Sequence, residues 1–290
     1  MNSAKNRSAV RAMLLLMWAL CMSGCASLVS NAASGFADNL SLAVLNQDDP
    51  ETAKAALPSY MVLVDSLIEG SPDNADMLAA GAEMYASYGA VFADDNDRAR
   101  RLTSKARRYA LTAMCEQYDA ACDWRSMNYD EFVASVAGVG ERDADYLYTY
   151  GFATLAYMRA HSAETDTLAE LPQAEALFEH YIGIAGDDVT ASTHVYMGIL
   201  KTLLPPALGG KPEEARVHFE KAIEMSDGRD LSAKVEYARG YAKLLYEREL
   251  HDRLLTEVVE ADPHWSGLTL TNVIAQQDAA VLLEEADDYF

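Results

Sequence analysis

The chain has 290 residues, a formal net charge of −22 and 50% hydrophobic residues. That length and apolar content suffice for one large buried core or two small ones. An acidic excess of this size repels nucleic acid and anionic lipid headgroups. It leaves a solvated acidic surface, or a docking face for a basic partner.

Ala, Leu, Met, Glu and Tyr are frequent, while 16 Gly and 8 Pro are spread thinly along the chain. The composition favours helices over strands, and no run of period-two alternation competes with them. At the amino terminus Lys5, Arg7 and Arg11 precede an apolar run from Ala12 to Met22, too short to span a bilayer. Met22-Ser23-Gly24-Cys25 follows, so residues 1–24 read as a secretory signal that ends in a bacterial lipobox. In that reading Cys25 is the lipidated first residue, although Met22 stands where lipoboxes usually carry Leu. Cys21 is a poorer choice because bulky Leu20 precedes it. The alternative is ordinary cleavage near Ala32-Ala33, which leaves a soluble periplasmic protein. Ala26 supplies no Asp retention signal, so the inner leaflet of an outer membrane is the expected anchor site in a Gram-negative cell. Several acyl chains make such an anchor stable.

Residues 25–48 read as a tether leading into a short helix, and residues 49–290 as one helical domain. Breaks are expected near Gly70-Ser71-Pro72, Asp94–Asp97, Gly138–Gly140, Gly186–Asp188, Leu204–Gly210, Ser226–Arg229 and Ala261–His264. Cys115 and Cys122 have six residues between them, with no zinc-ligand spacing around them. In an oxidising compartment they can form a local disulfide; the alternative is two buried thiols in adjacent turns.

Gly81, Gly151, Gly198 and Gly240 each sit inside an otherwise helical stretch. Gly costs about 1 kcal/mol there relative to Ala, so a packing reason is expected. Tetratricopeptide units place such a Gly in a first helix and small or aromatic residues in the second. The matching second helices carry Ala106/Ala110/Ala113, Ala174/Phe178/Tyr181, Ala215/Phe219/Ala222 and His251/Leu255/Val258. The glycines are 70, 47 and 42 residues apart, unlike the roughly 34 of a regular array. The fold expected is therefore all-α: a compact, cryptic tetratricopeptide-like helix-pair solenoid. Its lengthened connectors are free to fold over the concave face and enclose it.

No motif for catalysis, a metal or a cofactor stands out. The six histidines lack ligand spacing, and there is no P-loop, dinucleotide fingerprint or nucleophile elbow. Asp94-Asp95-Asn96-Asp97 lacks the Gly and closing Glu of a calcium loop and reads as a turn and helix cap. Tyr146, Tyr148 and Tyr150, followed by Phe152 and Tyr157, concentrate aromatics on one helix. They are either core residues or the lining of a pocket. Leu204-Pro205-Pro206-Ala207-Leu208-Gly209-Gly210 is a helix connector too apolar to be left uncovered, so it should pack on the core or on a partner.

That connector resembles a known family. With Lys211-Pro212-Glu213-Glu214-Ala215 and Phe219-Glu220-Lys221-Ala222 it looks like the T component of tetratricopeptide-associated TRAP transporters. His194 ahead of Gly198, Tyr237-Ala238, Tyr241-Ala242 and the run from Leu270 to Gln276 also fit, as do Ala280–Leu283 and Asp287–Phe290. The resemblance covers about residues 40–290. It implies a periplasmic lipoprotein that forms a homotrimer, holds the substrate-binding P subunit of a membrane permease, and passes a small, hydrophobic, organic acid-like ligand through a central channel. Tyr148, Tyr150, His194, Leu204, Pro205, Pro206, Gly209, Gly210 and Asn272 are the candidate channel or connector residues, with Asn272 alternatively a helix cap. Rival readings are an envelope-assembly scaffold with an open groove, and an enzyme, which would need a convergent titratable cluster.

Overall fold

The computed structural model describes residues 39–290. Calls on the leader and on Cys25 lie outside those residues. A short helix occupies 39–45, where the tether was expected to end. The helices that follow are α1 (Pro50–Gly70), α2 (Ala75–Val91), α3 (Asn96–Gln117), α4 (Tyr129–Val136), α5 (Ala144–Ala160), α6 (Thr165–Ala169), α7 (Leu171–Ile184), α8 (Ala191–Thr202), α9 (Pro212–Met225), α10 (Leu231–Glu236, prolonged by a π-helical turn Tyr237–Ala242), α11 (Arg248–Glu260), α12 (Thr269–Glu284) and α13 (Ala286–Tyr289). Strands are absent among the described residues.

Local chemistry sets these boundaries. Asp49 caps α1 by accepting from Glu51 N–H, with Pro50 in the first turn. Asn74 accepts from Met77 N–H at 3.0 Å at the start of α2. Asp95 accepts from Arg98 N–H at 2.7 Å, so the Asp94–Asp97 run is a cap for α3. Asn128 and Glu131 close a reciprocal capping box at α4. The remaining expected breaks fall between helices as read. Breaks that were not expected include the 3₁₀ segment Asp119–Ser126, the turn 161–164 before α6 and the turn 245–247 before α11.

The helices pair as the glycines indicate. A Cβ added to Gly151 would lie 3.1 Å from the Phe178 ring, and one on Gly198 would lie 2.5 Å from Phe219. Gly81 meets Tyr109 of α3 as well as Val64 and Ile68 of α1. The pairs are thus α2/α3, α5/α7 and α8/α9, with α10/α11 completing the array. Gly240 departs from the pattern, because its nearest neighbour is Thr202 Oγ1 in the preceding pair. The π turn that contains it aims Gly240 back along the array instead of at α11.

Two large core clusters result, one formed by the helices around α2–α7 and one by α5 and α7–α12, with Tyr148 and Ile182 packed against both, and a small third one joins Ile68, Ala75, Leu78 and Ala113. The ends of the array meet. Asn46 Oδ1 accepts from Gly267 N–H at 2.6 Å, and α1 touches α12. The longest connector, 118–143, does not cover the concave face as expected. Its 3₁₀ segment packs on α3 and α4, and α4 packs on α7. The connector buries Trp124, Phe132, Val136 and Val139, which are too apolar to form an exposed lid.

Candidate functional site

α5 stands at the centre and carries two different faces. Residues two apart on a helix point about 200° apart, so Tyr148 and Tyr150 cannot line the same space. Tyr148, Phe152 and Arg159 form one stripe, and Tyr150, Thr154 and Tyr157 form the opposite one.

The first stripe faces α7, the partner of α5, and the other first helices of the pairs. The Tyr148 ring lies 5.2 Å from Tyr181, 6.3 Å from Phe178 and 6.2 Å from Tyr196 of α8. Phe152 stacks on Tyr196 at 5.2 Å. Next to Tyr148, Thr149 donates to Glu83 Oε1 of α2 at 2.6 Å. Farther along α5, Arg159 reaches Glu236 of α10 at 3.3 Å, and Arg239 bridges Glu236 to Asp278 of α12, 2.6 Å from the latter. All four first helices therefore contribute to one recess, with a carboxylate at one end, an ion-pair network at the other and aromatic rings between them.

The ionisable groups along this stripe are shifted chiefly by burial. Glu83 is solvent-exposed, yet desolvation by the surrounding protein raises its carboxyl pKa, partly offset by the Thr149 hydrogen bond. Burial pushes the Tyr196 phenol up to about 12. Burial, then the neighbouring Tyr196 and Glu83, raise Tyr148 further. Arg159 and Arg239 outweigh the burial of Glu236 and keep its carboxyl below the ordinary value.

The other predicted residues lie elsewhere. Tyr150 is buried and faces an internal cavity on the far side of α5. His194 points across to α9, its Nδ1 2.9 Å from Nδ1 of His218. Asn272 is fully buried and does not cap α12. Its Oδ1 accepts from Leu231 N–H at 3.0 Å, and its Nδ2 donates to the Arg229 and Pro263 carbonyls at 2.9 and 3.2 Å. It ties two loops to one helix and faces no passage.

The connector shapes a third place. Gly209 has φ +98°, and a Cβ on Gly210 would overlap the Leu204 carbonyl, so both positions require Gly. Leu204 is half-buried while Pro205, Pro206 and Leu208 are exposed, Leu208 at 67%. Leu204, Leu208 and Gly209 border a cleft of about 330 Å³ with Tyr129, Leu171 and Pro172; Pro205 and Pro206 do not line it. Beneath it, buried Lys201 pairs with Glu175 (2.7 Å), Glu179 (3.0 Å) and Glu214 (3.1 Å), and Lys211 also reaches Glu175 at 2.8 Å. Cys115 and Cys122 are joined as a disulfide with Cα atoms 4.8 Å apart. That bond holds the 3₁₀ segment against the end of α3.

Phe152 was visible in the sequence as the next turn of the Tyr148 stripe. Glu83, Tyr196, Arg159, Glu236 and Arg239 had no local signal, since only tertiary pairing of four distant helices brings them together. Among the described residues no helix is long and apolar enough to cross a membrane.

No curated protein matches the chain. A family model described as "TRAP transporter T-component" matches residues 46–290. The match takes in the recess, the connector and the closing contact between the two ends of the array, and the chain belongs to the TRAP transporter T-component family.

Proposed function

We propose that the chain is a non-enzymatic, exported and lipid-anchored accessory subunit of a TRAP uptake system. In this reading it forms a trimer, binds the solute-binding P subunit and passes a small organic, largely apolar ligand through the recess. The observation that carries the reading is the convergence of Tyr148, Phe152 and Tyr196 from two first helices of an array whose two ends meet. Aromatic walls with a few hydroxyls and charges suit passage of apolar solutes. The charges at the α10 end are already paired with one another, which favours carriage over acid–base chemistry. Joined cysteines support an oxidising compartment, and with it export.

Two exposed apolar surfaces support the partner assignments. Val62, Leu63 and Leu67 on α1 are 67%, 54% and 49% exposed and form the face for a second copy. Leu208 and Tyr129 beside the connector cleft form the face for the P subunit. Co-purification of the full-length protein with a TRAP solute-binding subunit tests this. Leu208→Asp should abolish capture and leave the trimer intact, whereas Leu63→Asp should yield monomers. No capture of the solute-binding subunit by the wild-type protein would favour the envelope-scaffold alternative.

A further inference from the structure

The connector cleft combines an apolar wall with a set of fixed charges. Leu171, Glu175 and Glu179 recur every four residues and so share one face of α7. Besides Leu171, the apolar wall takes Pro172 of α7, Leu168 of α6, Tyr129 of α4 and Leu208 of the connector. Glu175 and Glu179 extend the same α7 face one and two turns beyond Leu171, and Lys211 lines the cleft as well.

The connector holds its shape through its own backbone. The N–H groups of Leu208 and Gly210 both donate to the Pro205 carbonyl, at 2.9 and 3.1 Å, and Lys211 N–H donates to the Lys201 carbonyl at 2.8 Å. Leu208 is therefore held out on a closed turn, 67% exposed. An apolar side chain presented in this way marks a contact surface. The carboxylates beside it are fixed too. The ammonium of Lys201, 2% exposed, has three N–H donors, and Glu175, Glu179 and Glu214 each take one. Glu175 also accepts from Lys211. Three carboxylates against two ammonium groups leave one negative charge, and the exposed members are Glu179 and Glu214, at 57% and 58%. The Lys201 hydrogen bond keeps the Glu214 carboxyl below its ordinary pKa, so it stays ionised.

We propose that the solute-binding subunit docks here through an apolar anchor side chain flanked by a lysine or arginine. The anchor enters the cleft beside Leu208. The cation sits against Glu179 and Glu214, whose carboxylates keep lone pairs that Lys201 does not use. Charge complementarity selects this occupant, because a second copy of the chain, at −22, brings a mostly acidic surface to an acidic rim. The proposal rests on the transport reading and adds to it the chemistry of the partner's face.

Binding of a TRAP solute-binding subunit to the full-length protein, followed by surface plasmon resonance from about 50 to 500 mM salt, tests it. Added salt should weaken the complex. Glu179→Gln/Glu214→Gln keeps acceptors for Lys201. It should weaken binding about five- to twentyfold at low salt, mostly through slower association, and flatten the salt dependence. Glu249→Gln/Glu260→Gln makes the same change in net charge on α11, outside the cleft, and should leave affinity and salt dependence unchanged. Wild-type affinity in the cleft variant, or an equal loss in the α11 variant, overturns the docking chemistry and leaves the transport reading standing. A changed light-scattering mass of the cleft variant with capture intact assigns the face to a second copy and overturns it as well. Absence of binding by the wild type removes both.

Discussion

Gly198 and Phe219 fit each other without space for a methyl group: a Cβ on Gly198 would lie 2.5–2.8 Å from three atoms of the fully buried Phe219 ring. The helix interior would gain about 1 kcal/mol from Ala, but overpacking of a filled core costs about 1–3 kcal/mol. Gly198→Ala should therefore lower the urea midpoint. Gly151→Ala should do so less, since its closest Phe178 atom is 3.1 Å away. Equal midpoints for the two variants would show that helix pairing is not set by these contacts.

The same contact explains what was legible in the sequence. A Gly inside a helix and an aromatic in the next one are local signs of a tertiary contact, and Gly151–Phe178 and Gly198–Phe219 follow them. Gly240 does not, because the π turn redirects it toward Thr202. Tyr148 and Tyr150 read as one aromatic group, although helical periodicity alone separates them. His194 and Asn272 were visible as polar residues in apolar surroundings. Their partners, His218 at 24 residues and Leu231 at 41, come only from the folded chain.

His194 and His218 share a hydrogen bond across α8 and α9, and burial holds both below the ordinary imidazole pKa. Lys221 adds to this at His194 and Lys201 at His218, while Glu179 and Glu214 oppose it. The unfolded chain then binds more protons, so stability is full above pH about 6.5 and falls as the pH drops below it. Thermal melts from pH 5 to 8 should show this slope, and His194→Gln/His218→Gln should flatten it. An unchanged slope in the double variant would assign the acid loss to other groups.

Glu83 has its carboxyl pKa raised by burial. A raised carboxyl favours the folded state when protonated, and that contribution is lost as the pH rises through the folded value. Glu83→Gln keeps a partner for Thr149 and should raise the melting temperature at pH 7. The gain should shrink as the pH is lowered through the carboxylate range. A melting temperature lowered at pH 7 would mean that the ionised group is needed for folding.

Asn272 satisfies three backbone groups in two segments, at Arg229 and Leu231 and at Pro263. Asn272→Ala leaves them buried and unpaired, at a cost of about 2–4 kcal/mol. Hydrogen exchange should then accelerate first at Leu231 and in the 261–268 loop. Protection unchanged at these amides would contradict the role.

Removal of the Cys115–Cys122 bond frees a short loop, which the loop-closure relation values at about 2.5 kcal/mol. Cys115→Ala/Cys122→Ala should lower the urea midpoint accordingly and leave the oligomeric state unchanged. A midpoint equal to that of the wild type would show that packing of Trp124 alone holds the segment.

The central claim is that this chain works as a trimeric partner of a solute-binding subunit. Co-expression of the full-length protein with a TRAP solute-binding subunit, capture through a tag on that subunit and mass measurement by light scattering test it most directly. The account predicts particles with three copies of this chain and bound solute-binding subunits. A tagged subunit that elutes alone, or a complex holding a single copy of the chain, would contradict it.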